Sequence, residues 1–288
     1  MEILIVSPPR SGNHWIRCLL AGAYDLRIKG GGRKNAHPGR KAPRERDNDQ
    51  DLNLDLVAIE TDDNFVREAS GGVMTQVQPQ TQSAIAVAQR KRPRRGSGGI
   101  IMHRHSRFQR KAVAELETRG VHLVTIVRDP YDSFLSYYRW VQTRKNEKGT
   151  TGAEHGDDRP RELMFGKPID HPDVLDFLND GFGTNLKRAN QWLHSGHAAI
   201  IRYEDLHADP ASALISLTTQ IEPVSEARIH EALSGCTIGN MLASRPGMAH
   251  TLGTGQVGSS KADLLPCHLE IMRDRWGDQI ESLGYRVR

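Results

Sequence analysis

Two short stretches, 118 positions apart, hold the residues whose types and spacing could do chemistry. The first is Pro9-Arg10-Ser11-Gly12-Asn13-His14-Trp15. It follows four apolar residues, Ile3 to Val6, and leads into a run with Ile16, Leu19, Leu20 and Ala23 on one helical face. A strand ended by prolines, a turn with Gly and Ser, and a helix start leave several amide hydrogens pointing at one spot. The helix dipole favours negative charge there as well. Arg10 adds a planar fork matched to a pair of phosphate or sulfate oxygens. The second stretch is Arg128-Asp129-Pro130-Tyr131-Asp132-Ser133-Phe134-Leu135-Ser136, and it too follows an apolar run, Val121 to Val127. Arg128 stands at the end of that strand, Ser136 falls about two turns into the following helix, and the aspartates suit its cap and dipole. His103 and His105 follow a further apolar run, Ile100-Ile101-Met102.

These stretches require strands that carry them to a common edge. The strand-then-helix pattern repeats at Ile3–Val6, Ile100–Met102, Val121–Val127 and Ala198–Arg202, which is the signature of an α/β fold with ligands at the carboxyl ends of its strands. Residues 108–119, 211–221 and 226–233 read as helices. The 288 residues suffice for a core. Residues 29–98 differ from the rest. They hold 13 Lys and Arg against 9 Asp and Glu, so the whole formal charge of +4 lies in this low-complexity insert, expected as loop or disorder. Its basic run Arg90–Arg95 could meet nucleic acid, an acidic glycan or an anionic surface. With no aromatic residues interleaved, a solvated linker is favoured and no specific nucleic acid is expected. Cys18, Cys236 and Cys267 lie far apart in sequence without metal-binding spacing, which points to reducing surroundings. No apolar run is long enough for a bilayer and no signal peptide is visible, so a cytoplasmic protein is expected.

The first loop lacks the lysine and the magnesium-binding hydroxyl of a Walker A motif. It does resemble the P-[KR]-S-G-[TN]-x-W loop of sulfotransferases that use 3′-phosphoadenosine 5′-phosphosulfate (PAPS). Arg128 and Ser136 match the R-[DN]-x-x-D-x-x-x-S of the same family, and Tyr203-Glu204-Asp205-Leu206 its Y-E-D-L. The resemblance covers Met1–Arg27 and residues 100 to about 285. It implies a three-layer P-loop-like α/β fold with a mainly parallel central sheet, a single domain over 1–288, and transfer of a sulfuryl group from PAPS to a hydroxyl or amine without a metal. On that analogy Arg10, Ser11, Gly12, Asn13 and His14 bind the 5′-phosphosulfate, with Arg10 and the loop amides steadying the leaving phosphate. Arg128 and Ser136 take the 3′-phosphate, and Trp15 and Tyr203 sandwich the adenine. His105 matches the histidine of the family's K-x-H and is the expected general base, suited by a reference pKa near 6.5.

The chain departs from the family in three places. His103 stands where the lysine of K-x-H belongs. Ile238, in Thr237–Met241, replaces the aromatic residue with which the family closes over the adenine. Both basic positions of the carboxyl-terminal 3′-phosphate motif are lost to Gly253 and Thr254, leaving Lys261 or Arg245 as substitutes. The acceptor, a small molecule, glycan or lipid, is expected among variable residues at 143–172 and 181–183, with Tyr137, Tyr138, Trp140 and Phe165 adding aromatic surface. Two other classes stay open: a P-loop-fold kinase or nucleotide-binding protein, and a non-catalytic homologue that holds a polyanion. The oligomeric state is not legible.

Overall fold

The computed structural model describes residues 1–28, 99–143, 163–244 and 255–288, so the insert lies outside the described residues. Strand β1 (Glu2–Val6) is apolar on both faces, and Ile3, Leu4, Ile5 and Val6 are removed from solvent. Such a strand has to be covered on both sides. It occupies the middle of a sheet with β2 (Arg27–Ile28), β3 (Ile100–Arg104), β4 (Val121–Val127) and β5 (Ala199–Arg202). The order is β2-β3-β1-β4-β5 and every pairing is parallel. The two-residue edge strand β2 was too short to carry a sequence pattern.

Alternation along β1 divides the core. Ile3 and Ile5 meet Ile16, Leu19 and Leu20 of helix α1 (Asn13–Tyr24) on one face. Leu4 and Val6 face Val113 and Leu116 of α2 (Arg110–Thr118) on the other. A further cluster forms where Tyr131, Phe134 and Leu135 of α3 (Pro130–Thr143) pack among the later helices. These are α4 (Pro172–Asp176), which runs on into a π-helical turn at Phe177–Gly181, and α5 (Gly183–Leu193). After β5 come α6 (Tyr203–Ala208), α7 (Pro210–Ile221), α8 (Glu226–Gly235), α9 (Ile238–Ser244), α10 (Ser260–Asp263) and α11 (Pro266–Ser282). Leu214, Leu217 and Ile229 of α7 and α8 complete the α1 face, so helices sandwich the sheet in three layers. In α11, Met272, Trp276 and Ile280 follow the helical period and bury against the α3 cluster.

Register brings the chemistry together. Val6 pairs with Arg104 and Ile5 with Val124, while Val127 pairs with Arg202. The residues after β1, β3, β4 and β5 therefore leave one edge of the sheet side by side.

Two expectations change. Residues 181–183 do not border the cleft described below. Phe182 is buried against Phe134, and a side chain at Gly183 would strike the Trp276 ring 2.1 Å away, so this region is core packing. Cys18 and Cys236, 218 positions apart, form a disulfide between α1 and the end of α8 with Cα atoms 5.9 Å apart. Sequence distance hid the pair because α1 and α8 meet only in the folded chain. The cysteine argument for reducing surroundings loses its ground, since such bonds persist where glutathione does not reduce them.

Purified protein should show one titratable thiol, Cys267, instead of three. Cys18→Ser should lower unfolding stability by about 2–4 kcal/mol. Three reactive thiols in native protein, or an unchanged denaturation midpoint, would refute the cross-link.

Candidate active site

The loop after β1 is wound through two left-handed residues, Arg10 (φ 68°) and Gly12 (φ 103°). At Gly12 the reason is steric as well: a Cβ there would lie 2.6 Å from the Tyr203 ring. For Arg10 the conformation costs about 1 kcal/mol or more. Asn13 helps to hold the turn, accepting from Ser7 Oγ and donating Nδ2 to Pro8 O at 3.0 Å. No side chain caps α1, and its first hydrogen bonds run from Trp15 and Ile16 to Gly12 O. The amides of Ser11 to His14 come before these bonds, at the positive end of the dipole.

A cleft of about 1150 Å³ opens over this turn. Arg10, Gly12, Asn13, His14, Trp15, His103, His105, Arg128, Ser136 and Tyr203 all line it. Of the expected site residues, Ser11 alone is absent from the lining, being buried beneath the loop.

Two guanidinium groups dominate the floor. Arg10 donates Nε to Ser136 Oγ at 3.2 Å and lies 6.0 Å from the Trp140 ring centre. Arg128 donates to Arg10 O at 3.1 Å and to Gln256 O at 2.9 Å, 4.3 Å over the face of Tyr203. Among the described residues its Nε is buried without a hydrogen bond. Burial, and then the charge of Arg128, lower the Arg10 pKa to about 10. Arg10 stays charged at neutral pH, and a bound anion would relieve both effects.

The acids nearby are committed elsewhere. Asp129 caps α3 through Tyr131 N at 2.7 Å and pairs with Arg288 at 2.6 Å. Burial raises its pKa, against the lowering effect of Arg288. Asp132, 1% exposed, accepts from Gly258 N at 2.5 Å and Ser260 N at 2.9 Å. Burial pushes its pKa up, but the bonds from Ser260 and Gly258 and the charge of Arg128 outweigh it and the net shift is down. Glu204 accepts from Asp129 N and from Tyr285 Oη, each at 2.8 Å. The motif acids are scaffolding.

The aromatic pair departs from the expected slot. Trp15 and Tyr203 meet edge to face, centroids 6.1 Å apart at 73°, and so do not bracket a planar ring between parallel faces. Tyr203 Oη donates to Gly255 O at 2.9 Å. Ile238, 51% exposed, and Met241 line the same side of the cleft. Phe165 packs against the α3 cluster and does not line the cleft, whereas Tyr137, Tyr138 and Trp140 do.

Lys261 is exposed and outside the lining, and Arg245 lies outside the described residues. Sequence reasoning missed Arg139. It lies one turn beyond Ser136 on the cleft wall, 3.4 Å from Ser259 Oγ and ion-paired with Asp263. The i, i+3 spacing to Ser136 was the available signal. Also on the cleft lining, His105 Nδ1 lies 2.7 Å from Ser7 O and its ring 5.1 Å from that of His103. Among the described residues no group of three acidic, histidine or cysteine side chains is placed to hold a metal ion.

Paired arginines, a helix start and an imidazole thus line one cleft of an α/β fold. The sequence matches the sulfotransferase domain family over residues 1–246, and the chain belongs to that family. Mouse sulfotransferase SULT7A1, solved in complex with PAP, is similar in fold at TM-score 0.56 and 13% identity, over 98% of this chain and 87% of that one. Retinol dehydratase, solved with androsterone and the inactive cofactor PAP, aligns at TM-score 0.45 and 12% identity over 66% of this chain and 55% of that one. No curated protein sequence matches.

Asp132→Asn should cost about 1.5–3 kcal/mol of stability, the worth of bonds to a charged acceptor. Because the native pKa is depressed, this contribution is present above the ordinary 3.8 and disappears only as pH falls below it. Denaturant melts from pH 3 to 7 that show equal stability for both proteins throughout would contradict the role.

Proposed function

We propose that the chain is a single sulfotransferase domain over 1–288 that transfers the sulfuryl group of PAPS to the hydroxyl or amine of an acceptor. The observation that carries this reading is one cleft lined by both the Arg10–Ser136–Arg128 cluster and His105. In the in-line step the acceptor oxygen or nitrogen bonds to sulfur, the bond from sulfur to the phosphate oxygen breaks, and the acceptor's proton passes to His105 Nε2. A hydrogen bond from His105 Nδ1 to Ser7 O fixes the ring and keeps the lone pair on Nε2. Arg10, the amides of Ser11 to His14 and the α1 dipole stabilise charge on the leaving phosphate. Such transfer needs positioning and charge stabilisation more than covalent work by the protein.

Arg128 and Ser136 are proposed to take the 3′-phosphate, with Arg139 in place of the missing basic pair. Tyr203 contributes from the side of the adenine, with its far face already against Arg128. Tyr137, Tyr138 and Trp140 also line the cleft, and their rings suit an acceptor with an aromatic or apolar body. Membership of the family favours sulfuryl over phosphoryl transfer. No helix among the described residues is long and apolar enough to cross a membrane.

Arg128→Ala and Ser136→Ala should each weaken 3′-phosphoadenosine 5′-phosphate by about 1.5–3 kcal/mol while hardly affecting adenosine 5′-phosphate. Calorimetric titration of both ligands checks this, and equal losses would remove the 3′-phosphate assignment. His105→Ala should keep nucleotide affinity and lower turnover by about 10²–10⁴-fold. Native turnover from the variant would take His105 out of the reaction.

A further inference from the structure

Arg17 of α1 is 5% exposed and reaches two imidazoles. Its Nη1 lies 2.9 Å from His103 Nδ1 and its Nη2 3.2 Å from His14 Nδ1. A guanidinium carries donors only and does not deprotonate in proteins, so both Nδ1 atoms have to accept. An imidazole whose Nδ1 accepts carries its proton on Nε2. His105 faces the opposite constraint: its Nδ1 is 2.7 Å from Ser7 O, which can only accept, so its proton sits on Nδ1 and its lone pair on Nε2.

We infer that Arg17 is a positioning residue that locks His103 as a neutral Nε2–H donor beside the basic Nε2 of His105, so that the two histidines of one His-x-His do opposite work. His105 receives the acceptor's proton. His103 keeps its own throughout and offers a hydrogen bond to an oxygen of the transferring group, at the position where the family has a charged lysine. This rests on the sulfuryl-transfer reading for its purpose, though not for its chemistry.

The surroundings agree. His103 is flanked by His105 and Arg104 from β3 and its end, and by Arg17 and His14 from α1. Burial, followed by these neighbours, lowers its pKa to about 3. A second protonated group beside Arg17 is therefore disfavoured across the working range, and His103 cannot substitute as a base while Arg17 occupies its Nδ1.

The test is long-range ¹H–¹⁵N NMR of the full chain with ¹⁵N-labelled imidazoles, without substrate, assigned by comparison with His103→Gln and His105→Gln. His103 is expected in the Nε2–H form and unprotonated down to about pH 5, and His105 in the Nδ1–H form at neutral pH. An Nδ1–H signal for His103, or its protonation near the reference value of about 6.5, would overturn the inference. In Arg17→Met the lock should open, so that His103 populates both tautomers and its pKa rises, though burial and His105 still hold it below the reference value. Arg17→Lys should restore the Nε2–H form. An unchanged His103 in folded Arg17→Met would also overturn it, and if that variant does not fold, the wild-type spectrum decides alone. Failure of PAPS to donate would leave these spectra as expected, so the two readings fail separately.

Discussion

Two arginines held side by side at the carboxyl edge of a parallel sheet set the terms for everything around them. Like charges in a partly buried place repel, and the lowered pKa of Arg10 registers first its desolvation and then that repulsion. The protein steadies the pair with carbonyl oxygens, a hydroxyl and aromatic faces. Arg128 rests on Arg10 O, Gln256 O and the Tyr203 ring, and Arg10 on Ser136 Oγ. The acids of the same stretch bond elsewhere, Asp129 to Arg288 and Asp132 to two amides. Carbonyl oxygens, a hydroxyl and ring faces thus hold two guanidinium charges on one cleft, which favours an anion.

The same contacts tie distant segments together. Residues 255–260 are held from five directions: Gln256 O by Arg128, Gly255 O by Tyr203, the Gly258 and Ser260 amides by Asp132, Ser259 Oγ by Arg139, and Ser260 Oγ by Arg288. Glu204 joins the start of α3 to Tyr285. Residues that look like a ligand motif in sequence are thus also the fasteners of the cleft wall. A substitution among them changes stability and binding together, and only comparisons between ligands separate the two.

Much of this was legible in the chain. Four apolar runs gave four of the five strands, because a buried parallel strand needs both faces apolar, and the residues after them were sorted correctly to one edge. The loop Pro9–Trp15 and the pair Arg128 and Ser136 reach the same cleft because sheet register aligns their strands. Long-range partners were not legible. Nothing in the spacing of Cys18 and Cys236 announces that α8 lies across α1. Arg17 reads as an ordinary polar residue on a helix until β3 places His103 beside it. Arg139 was hidden because an arginine near the end of an amphipathic helix is usually a solvated one. Residues 181–183 misled because Gly183 serves close packing against Trp276 and Gly181 lies against Phe177.

What most directly tests the central claim, that this cleft performs transfer and does not merely hold an anion, is movement of labelled sulfate. Native protein would be incubated with ³⁵S-labelled PAPS and panels of small phenols, glycans and lipids, with products separated and counted. The account predicts a labelled product that requires the acceptor, formed best with acceptors bearing an aromatic or apolar body. Tight binding of 3′-phosphoadenosine 5′-phosphate with no label moved to any acceptor would contradict it and leave a nucleotide-binding homologue without transfer activity.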